Sequence, residues 1–290
     1  MSMPIDIFFV YATAVIWIVA TIWGVKNNSY KASLFIGITL LLFLNVRYLI
    51  NGAPNGIAFF VSLYDVFDNL GLAPGESAPA LATCPNNSCS TWGDQYLNHS
   101  SWGVAFYDRF ANGPELRSTL LYLHLAFNSI VFVLMHYQIA RPPSSENRTT
   151  HRLLGRFSFS FLTIGTICAV WLAAEHGSVT EYGGNLSKYG FWFMSLCVYS
   201  CAVMGVVKIR AGDAASHRIW MIRFAGSMWG AFWIFRIMLA ITGPLFRNWE
   251  SVSILMSIWL SAPIGILIAE VWRRKLEQPR AASQVTAPAT

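Results

Sequence analysis

The sequence predicts an all-α, multi-pass membrane helix bundle, and three observations lead to that prediction. Of the 290 residues, 55% are hydrophobic and only 12% are charged, whereas a soluble domain carries about 25% charged residues. Aromatic residues are abundant, with 12 Trp, 20 Phe and 11 Tyr, as expected of a chain with many membrane interfaces. Apolar stretches also recur that are long enough for a spanning helix, which needs about 20 mainly apolar residues.

Seven stretches have the length and composition of a transmembrane helix. They cover residues 5–25, 33–50, 119–139, 157–175, 189–207, 224–243 and 252–272. We therefore expect a single seven-helix integral membrane domain over residues 1–275, with a four-helix core over 119–245. The final segment, residues 276–290, is polar and rich in Ala and Thr, so the sequence predicts a disordered tail there.

The charges of the connecting loops predict how the chain is oriented. Fourteen of the 20 Lys and Arg residues fall in the loops and tail on one side of the membrane, and four fall on the other. Because positively charged loops stay in the cytoplasm, the N-terminus is expected outside and the C-terminus inside. The formal charge of +6 is then explained by these loops, and we expect no nucleic-acid partner.

This orientation makes residues 51–118 an extracytoplasmic loop. Residues 57–70, "IAFFVSLYDVFDNL", have the pattern of an amphipathic helix that lies on the membrane or caps the bundle. Cys84 and Cys89 lie in the same loop, on the oxidising side, so a local disulfide is predicted. The alternative is a pair of free thiols.

Ionisable side chains at membrane depth are costly, so each is a candidate functional residue. Four of them fall at a similar level near the outer side, one from each of four predicted helices: Arg47, His124, His176 and Arg236. His124 lies about five residues from the outer end of its helix, or roughly 7 Å deep. An arginine as deep as Arg236 needs a partner, so we expect this level to hold a polar site.

A second group lies near the inner side, where two related motifs precede or open helices. "THRLLGR" covers residues 150–156 and "SHRIWMIR" covers residues 216–223. We call their histidines and arginines the inner His-Arg cluster, which consists of His151, His217, Arg152, Arg156, Arg218 and Arg223. Two histidines and four arginines at one end of a bundle are suited to bind an anion or a lipid head group.

Two histidines from facing helices, in each of two layers, are the arrangement with which helix bundles bind b-type haem. His124 with His176 would bind the outer haem iron, and His151 with His217 the inner one. Arg47 and Arg236 would neutralise the outer propionates. This reading predicts a transmembrane redox or electron-transfer protein with a redox partner. His136 does not fit it simply, since 12 residues after His124 it lies about 120° away around the helix.

Two alternatives remain open from the residues alone. In the first, the chain is a lipid- or quinone-binding membrane enzyme, in which His151 or His217 acts as general acid or base. In the second, it is a non-catalytic membrane binding or assembly module without a cofactor. Its inner His-Arg cluster would then bind anionic membrane lipid.

The motifs also occur in a characteristic order. "LYLHLAF", "THRLLGRF", "RAGDAASHRIWMIRFAG" and "FWIFR" follow one another between residues 121 and 236. This arrangement resembles the domain of unknown function 2306 family of predicted multi-pass membrane proteins, over about residues 119–245. The resemblance implies the four-helix core and implies that the motif residues belong together, without implying an activity. Within it, we expect Asp213 to orient His217 or Arg218 and Gly155 to allow close helix packing.

Overall fold

The computed structural model describes part of the chain. The described residues are 5–27, Ala32, 35–39, Leu42, Asn45, Leu49, 114–174, 184–245 and 250–285. They contain helices and turns and no strand, which confirms the all-α prediction. The predicted amphipathic helix 57–70, the predicted disulfide between Cys84 and Cys89, Arg47 and His176 lie outside the described residues.

The described helices follow the predicted apolar stretches. In chain order they are α1 (Ile5–Lys26), α2 (Glu115–Ala140), α3 (Arg148–Ala174), α4 (Gly184–Arg210), α5 (Ala214–Trp229), a π-helical segment (Gly230–Ile234), α6 (Phe235–Leu245) and α7 (Glu250–Val285). Among the described residues, four helices are long and apolar enough to cross a membrane: α2, α3, α4 and the Val252–Lys275 part of α7. The chain is thus a helical membrane protein with several spans, while the count of seven and the orientation stay predictions.

Two helices extend beyond their apolar stretches. α3 begins at Arg148, nine residues before the predicted start, so its His-Arg motif is helical. α7 continues to Val285, so residues 276–285 are helical where the sequence predicts disorder. Apolarity marks the membrane boundary, whereas helix formation depends on backbone hydrogen bonds and on residues such as Ala, Leu, Arg and Gln that favour helix in water as well.

The core lies where α2, α3, α4 and α5 meet. α2 packs along α3, α4 packs along α5, and α7 packs against both α4 and α5. The largest fully buried side chains in the described residues are Phe132, Met135, Leu162, Met228, Ile258 and Val131. Large apolar side chains such as Ile167, Leu196 and Leu267 are instead more than 60% exposed, as expected for surfaces that contact lipid acyl chains.

Small residues allow α7 to contact the backbone of α5 and of the π-helical segment. A Cβ atom added to Gly226 would lie 2.5 Å from the carbonyl oxygen of Gly265, and one added to Gly230 would lie 2.5 Å from that of Ser261. Gly226 and Gly230 are four residues apart, and so are Ser261 and Gly265 in α7, so the two segments present facing small-xxx-small motifs. Membrane helices associate through this kind of close van der Waals packing, since burial away from lipid provides no hydrophobic driving force.

Candidate functional site

The second His-Arg motif is positioned by the cap of α5. Asp213 is the N-cap residue, and its Oδ1 accepts a hydrogen bond of 2.9 Å from the backbone N–H of Ser216. Hydrogen bonding to Ser216 lowers the pKa of the Asp213 carboxyl. Asp213 therefore fixes the first turn of the helix, in which His217 lies, and orients that histidine through the backbone.

His217 is anchored on the neighbouring helix. Its Nδ1 lies 2.8 Å from the carbonyl oxygen of Gly205 in α4, and because a carbonyl only accepts, Nδ1 carries the proton. Nε2 is then the atom with the free electron pair, and no hydrogen bond to it occurs within the described residues. A Cβ atom on Gly205 would lie 2.8 Å from Sδ of Met221, so the absence of a side chain permits this approach.

The structure brings the two His-Arg motifs together. His151 lies in the first turns of α3, where its carbonyl oxygen accepts a hydrogen bond of 3.3 Å from the Gln138 side chain of α2. Its imidazole is close enough to that of His217 for their charges to interact. Both histidines lie in the first turns of their helices, and their pairing at one site stays a prediction.

The four arginines of the inner His-Arg cluster do not share one environment. Arg152, Arg156 and Arg218 are exposed. Arg223 is only partly exposed: its Nε lies 3.4 Å from Oε2 of Glu270 in α7, and its guanidinium lies 4.8 Å from the ring centre of Trp220. Three of the arginines are thus exposed at the surface, and Arg223 is ion-paired with Glu270.

Glu270 is a site residue that the sequence interpretation missed. It also contacts Arg273, with 2.6 Å between the charged atoms, and Arg274, at 3.1 Å. One carboxylate thus gathers three guanidinium groups, which leaves a net positive charge at this end of α5 and α7. The available signal was a single acidic residue near the end of an otherwise apolar span, followed by two arginines one turn later.

His124, on the other histidine level, also contacts a backbone carbonyl of an adjacent helix. Its Nδ1 lies 3.0 Å from the carbonyl oxygen of Gly165 in α3, a contact that requires a proton on Nδ1, and 3.0 Å from the amide nitrogen of Asn128, a contact in which Nδ1 accepts. The nearby Asn128 amide donates to the backbone oxygen of His124 at 2.8 Å. Within the described residues nothing hydrogen-bonds to Nε2.

Arg236 belongs to the same level as His124. Its guanidinium donates a hydrogen bond to the Phe232 carbonyl, one turn earlier in its own chain segment, and its charge acts on the His124 imidazole. Two of the four residues predicted for the outer level, His124 and Arg236, therefore lie within electrostatic range of each other, and their common site stays a prediction. The other two, Arg47 and His176, lie outside the described residues.

His136 has a different environment from the other two histidines. Its Nδ1 donates to the Phe132 carbonyl at 2.6 Å, and its Nε2 accepts from the indole N–H of Trp229 at 2.7 Å. Both ring nitrogens are used and the side chain is 2% exposed, so this neutral imidazole has no atom left to bind a metal.

His136 belongs to an aromatic cluster around the π-helical segment. The cluster consists of Trp17, Phe132, His136, Trp229, Phe232 and Trp233. The Trp17 ring stacks on Trp229 at a centroid distance of 5.4 Å and on Trp233 at 5.3 Å. Irregular π turns inside α-helices often occur at functional sites, so the cluster is a second candidate site.

No group of three or more His, Cys, Asp or Glu side chains able to hold a metal ion occurs in the described ranges. The predicted haem sites require only two axial histidines each. Of those ligands, His124 and His217 present an Nε2 without a protein hydrogen bond, and His151 lies near His217.

These features define a multi-pass helical membrane protein with two histidine levels. The family model described as predicted membrane protein (DUF2306) matches residues 121–273, which is more than half of the chain. The chain belongs to this family, which confirms the resemblance read from the motifs and extends it into α7. No curated protein and no solved structure matches the chain.

Proposed function

We propose that the protein transfers electrons across the membrane through b-type haem bound between its core helices. The observation that supports this most directly is the shared arrangement of His124 and His217. Each places Nδ1 at hydrogen-bond distance from a backbone carbonyl of an adjacent helix, at 3.0 Å and 2.8 Å, and leaves Nε2 without a protein hydrogen bond among the described residues.

This arrangement is what an axial haem ligand requires. A metal-binding histidine nearly always donates its second ring N–H to a carbonyl or carboxylate, which fixes the tautomer and the ring orientation. At His217 the proton on Nδ1 leaves the electron pair on Nε2 for iron, and His124 would bind iron in the same tautomer. Two histidines with this shared carbonyl contact, on two levels of one bundle, favour two haem sites over a hydrogen-bonding role for each.

The remaining residues of each proposed site follow from their position. His151 would be the second ligand at the His217 level, and His176 the second ligand at the His124 level. Arg236 near His124, together with Arg47, would neutralise the propionates of one haem. Arg152 and Arg218, which are exposed and next in sequence to the inner histidines, would neutralise the propionates of the second haem.

Bound haem would supply one-electron chemistry, because its iron is stable as both Fe(II) and Fe(III). The protein would hold the imidazoles rigid, exclude water with the apolar bundle and balance the propionate charge. In this proposal the chain has seven spans with the N-terminus outside, so that the two levels lie on opposite halves of the bilayer and an electron can cross between them.

A second candidate is suggested by the three exposed arginines of the inner His-Arg cluster, Arg152, Arg156 and Arg218. A surface of this kind at helix ends suits the phosphate of an anionic lipid. The protein would then be a lipid- or quinone-binding enzyme, or a membrane assembly module. The anchored histidines are not explained by this candidate, so we rank it second.

Variants of the anchored histidines test the haem proposal. The full chain and its His124→Ala and His217→Ala variants are purified in detergent, and reduced-minus-oxidised visible spectra are recorded for each. Each variant should lose about half of the α-band absorbance, and the two residual spectra should differ. His99→Ala replaces a histidine that the proposal assigns to neither haem, so it is the control and should keep the parent spectrum. Parent spectra from both test variants would show that the assigned ligands are wrong.

A further inference from the structure

Two tryptophans of the aromatic cluster have a buried indole N–H without a hydrogen-bond acceptor. Trp229 donates to His136, but the Nε1–H groups of Trp17 and Trp233 are buried and have no partner within the described part of the chain. Trp233 is 5% exposed. The two rings stack on each other with their planes 25° apart, so both N–H groups belong to one small region of the cluster.

Such groups are unfavourable inside a membrane. An indole N–H is a donor only, and hydrocarbon offers neither water nor any other acceptor to it. A buried donor without a partner is destabilising in proteins, because its bond to water is lost and not replaced. Two of them in contact therefore favour a ligand that supplies acceptor oxygens and brings no donor of its own.

Depth and shape narrow the class of ligand. Nine residues separate Trp17 from Lys26 at the end of α1, or about 14 Å along the helix axis. The hydrocarbon core is only about 30 Å thick, so with α1 as a predicted span that ends at Lys26 the indoles lie well below the ester carbonyls of phospholipids. Since Trp229 and Trp233 cover the faces of the Trp17 ring, a ligand must approach the N–H edges with a flat, apolar head.

Gly37 provides a further observation at this edge. A Cβ atom at position 37 would lie 2.8 Å from Nε1 of Trp17 and 2.5 Å from the Trp229 ring. The backbone of position 37 therefore packs against the N–H edge of Trp17, and a side chain there would collide with the two rings.

We propose that Trp17 and Trp233 form a binding site for the carbonyl oxygens of a lipid-soluble quinone. A quinone head is flat, carries two acceptor oxygens and no donor, and lies at the required depth. This proposal does not rest on haem binding. If both hold, the quinone is the class of electron donor or acceptor that meets the protein within the membrane.

The test is the binding of a decyl-tailed benzoquinone to the full chain in detergent, measured by titration calorimetry. We expect saturable binding, and Trp17→Phe and Trp233→Phe should each weaken it about fivefold or more, because each removes one hydrogen bond and keeps an aromatic ring. Trp171→Phe is the matched control: Trp171 is 56% exposed, and its replacement should leave the affinity unchanged.

Three outcomes would overturn the proposal. The first is no saturable binding by the unmodified chain, or equal binding of decylbenzene, which has the ring and tail without carbonyls; neither result depends on whether a variant folds. The second is unchanged affinity in both cluster variants. The third is displacement by a diacylglycerol at equal concentration, which would assign the site to ester carbonyls. The visible spectrum should be the same in all three tryptophan variants, so this test is separate from that of haem.

Discussion

The imidazole of His136 accepts a hydrogen bond of 2.7 Å from the indole of Trp229 and donates one of 2.6 Å to the carbonyl of Phe132. This pair joins α2 to the residue at which α5 becomes π-helical. In the sequence, His136 looks like His124 and His217, because each is a histidine in a largely apolar helix. Only the hydrogen-bond partners show that His136 has a structural role, whereas His124 and His217 leave Nε2 available.

We predict that His136→Leu destabilises the bundle by about 2–3 kcal/mol, because it leaves the Trp229 N–H buried without an acceptor. Thermal unfolding in detergent measures this effect. The double variant His136→Leu with Trp229→Phe should recover much of the loss, since it removes both members of the pair. Additive losses in the double variant would show that the hydrogen bond does not couple the two residues.

Gly205→Val should disturb the level of His217. The added side chain would meet Met221 Sδ and come within 3.7 Å of His217 Nδ1, so we expect the Nδ1–H bond to Gly205 to break and the spectral component assigned to His217 to be lost. Gly155→Val is the matched control, because a Cβ atom there meets only the Gln138 amide at 3.7 Å. A normal His217 component in Gly205→Val would contradict the anchoring role.

Gly265→Ala should weaken the packing of α5 on α7. A Cβ atom at position 265 would collide with the Gly226 carbonyl and lie 2.9 Å from the backbone nitrogen of Gly230. Because both neighbours are backbone atoms, one helix must move, at a cost of about 1–3 kcal/mol or more. The thermal midpoint should fall for Gly265→Ala and stay near the parent value for Gly155→Ala. Equal midpoints for the two variants would show that the helices are not in backbone contact.

Glu270→Gln should destabilise the junction of α5 and α7 by about 2 kcal/mol, since it removes the charge that three arginines share. Arg274→Ala should change stability by less than about 1 kcal/mol, because the Arg274 side chain is 70% exposed and exposed ion pairs contribute little. Unfolding at low and at high salt distinguishes the two positions. A similarly small effect of both substitutions would mean that Glu270 does not hold the three arginines together.

Several features were predictable from the sequence because they depend on position along a helix alone. Apolar length predicted the helices observed as α2, α3, α4 and α7, and the placement of His151 and His217 at the starts of α3 and α5, with one helix between them, follows from the same pattern. The predicted role of Asp213 acquires a physical basis as well: it caps α5 through the Ser216 N–H, and thereby orients His217 without touching the imidazole.

Other features depend on how helices rotate against each other, which one sequence does not reveal. Gly155 was expected at a close contact, yet the tight contacts occur at Gly205, Gly226 and Gly265. The residues of the π-helical segment are as apolar as their neighbours, so the hydropathy of the sequence gives no sign of the irregular turn. Glu270 was overlooked because an acid beside arginines suggests a local pair, whereas its link to Arg223 joins two helices.

The central claim is that the anchored histidines bind haem, and the visible absorption spectrum of the unmodified, detergent-purified protein tests it most directly. The spectrum is recorded in the oxidised state and after reduction with dithionite. The account predicts a Soret band that sharpens on reduction together with distinct α and β bands, as expected of low-spin, bis-histidine iron. A spectrum without visible bands, from folded protein produced with ample haem, would contradict the claim.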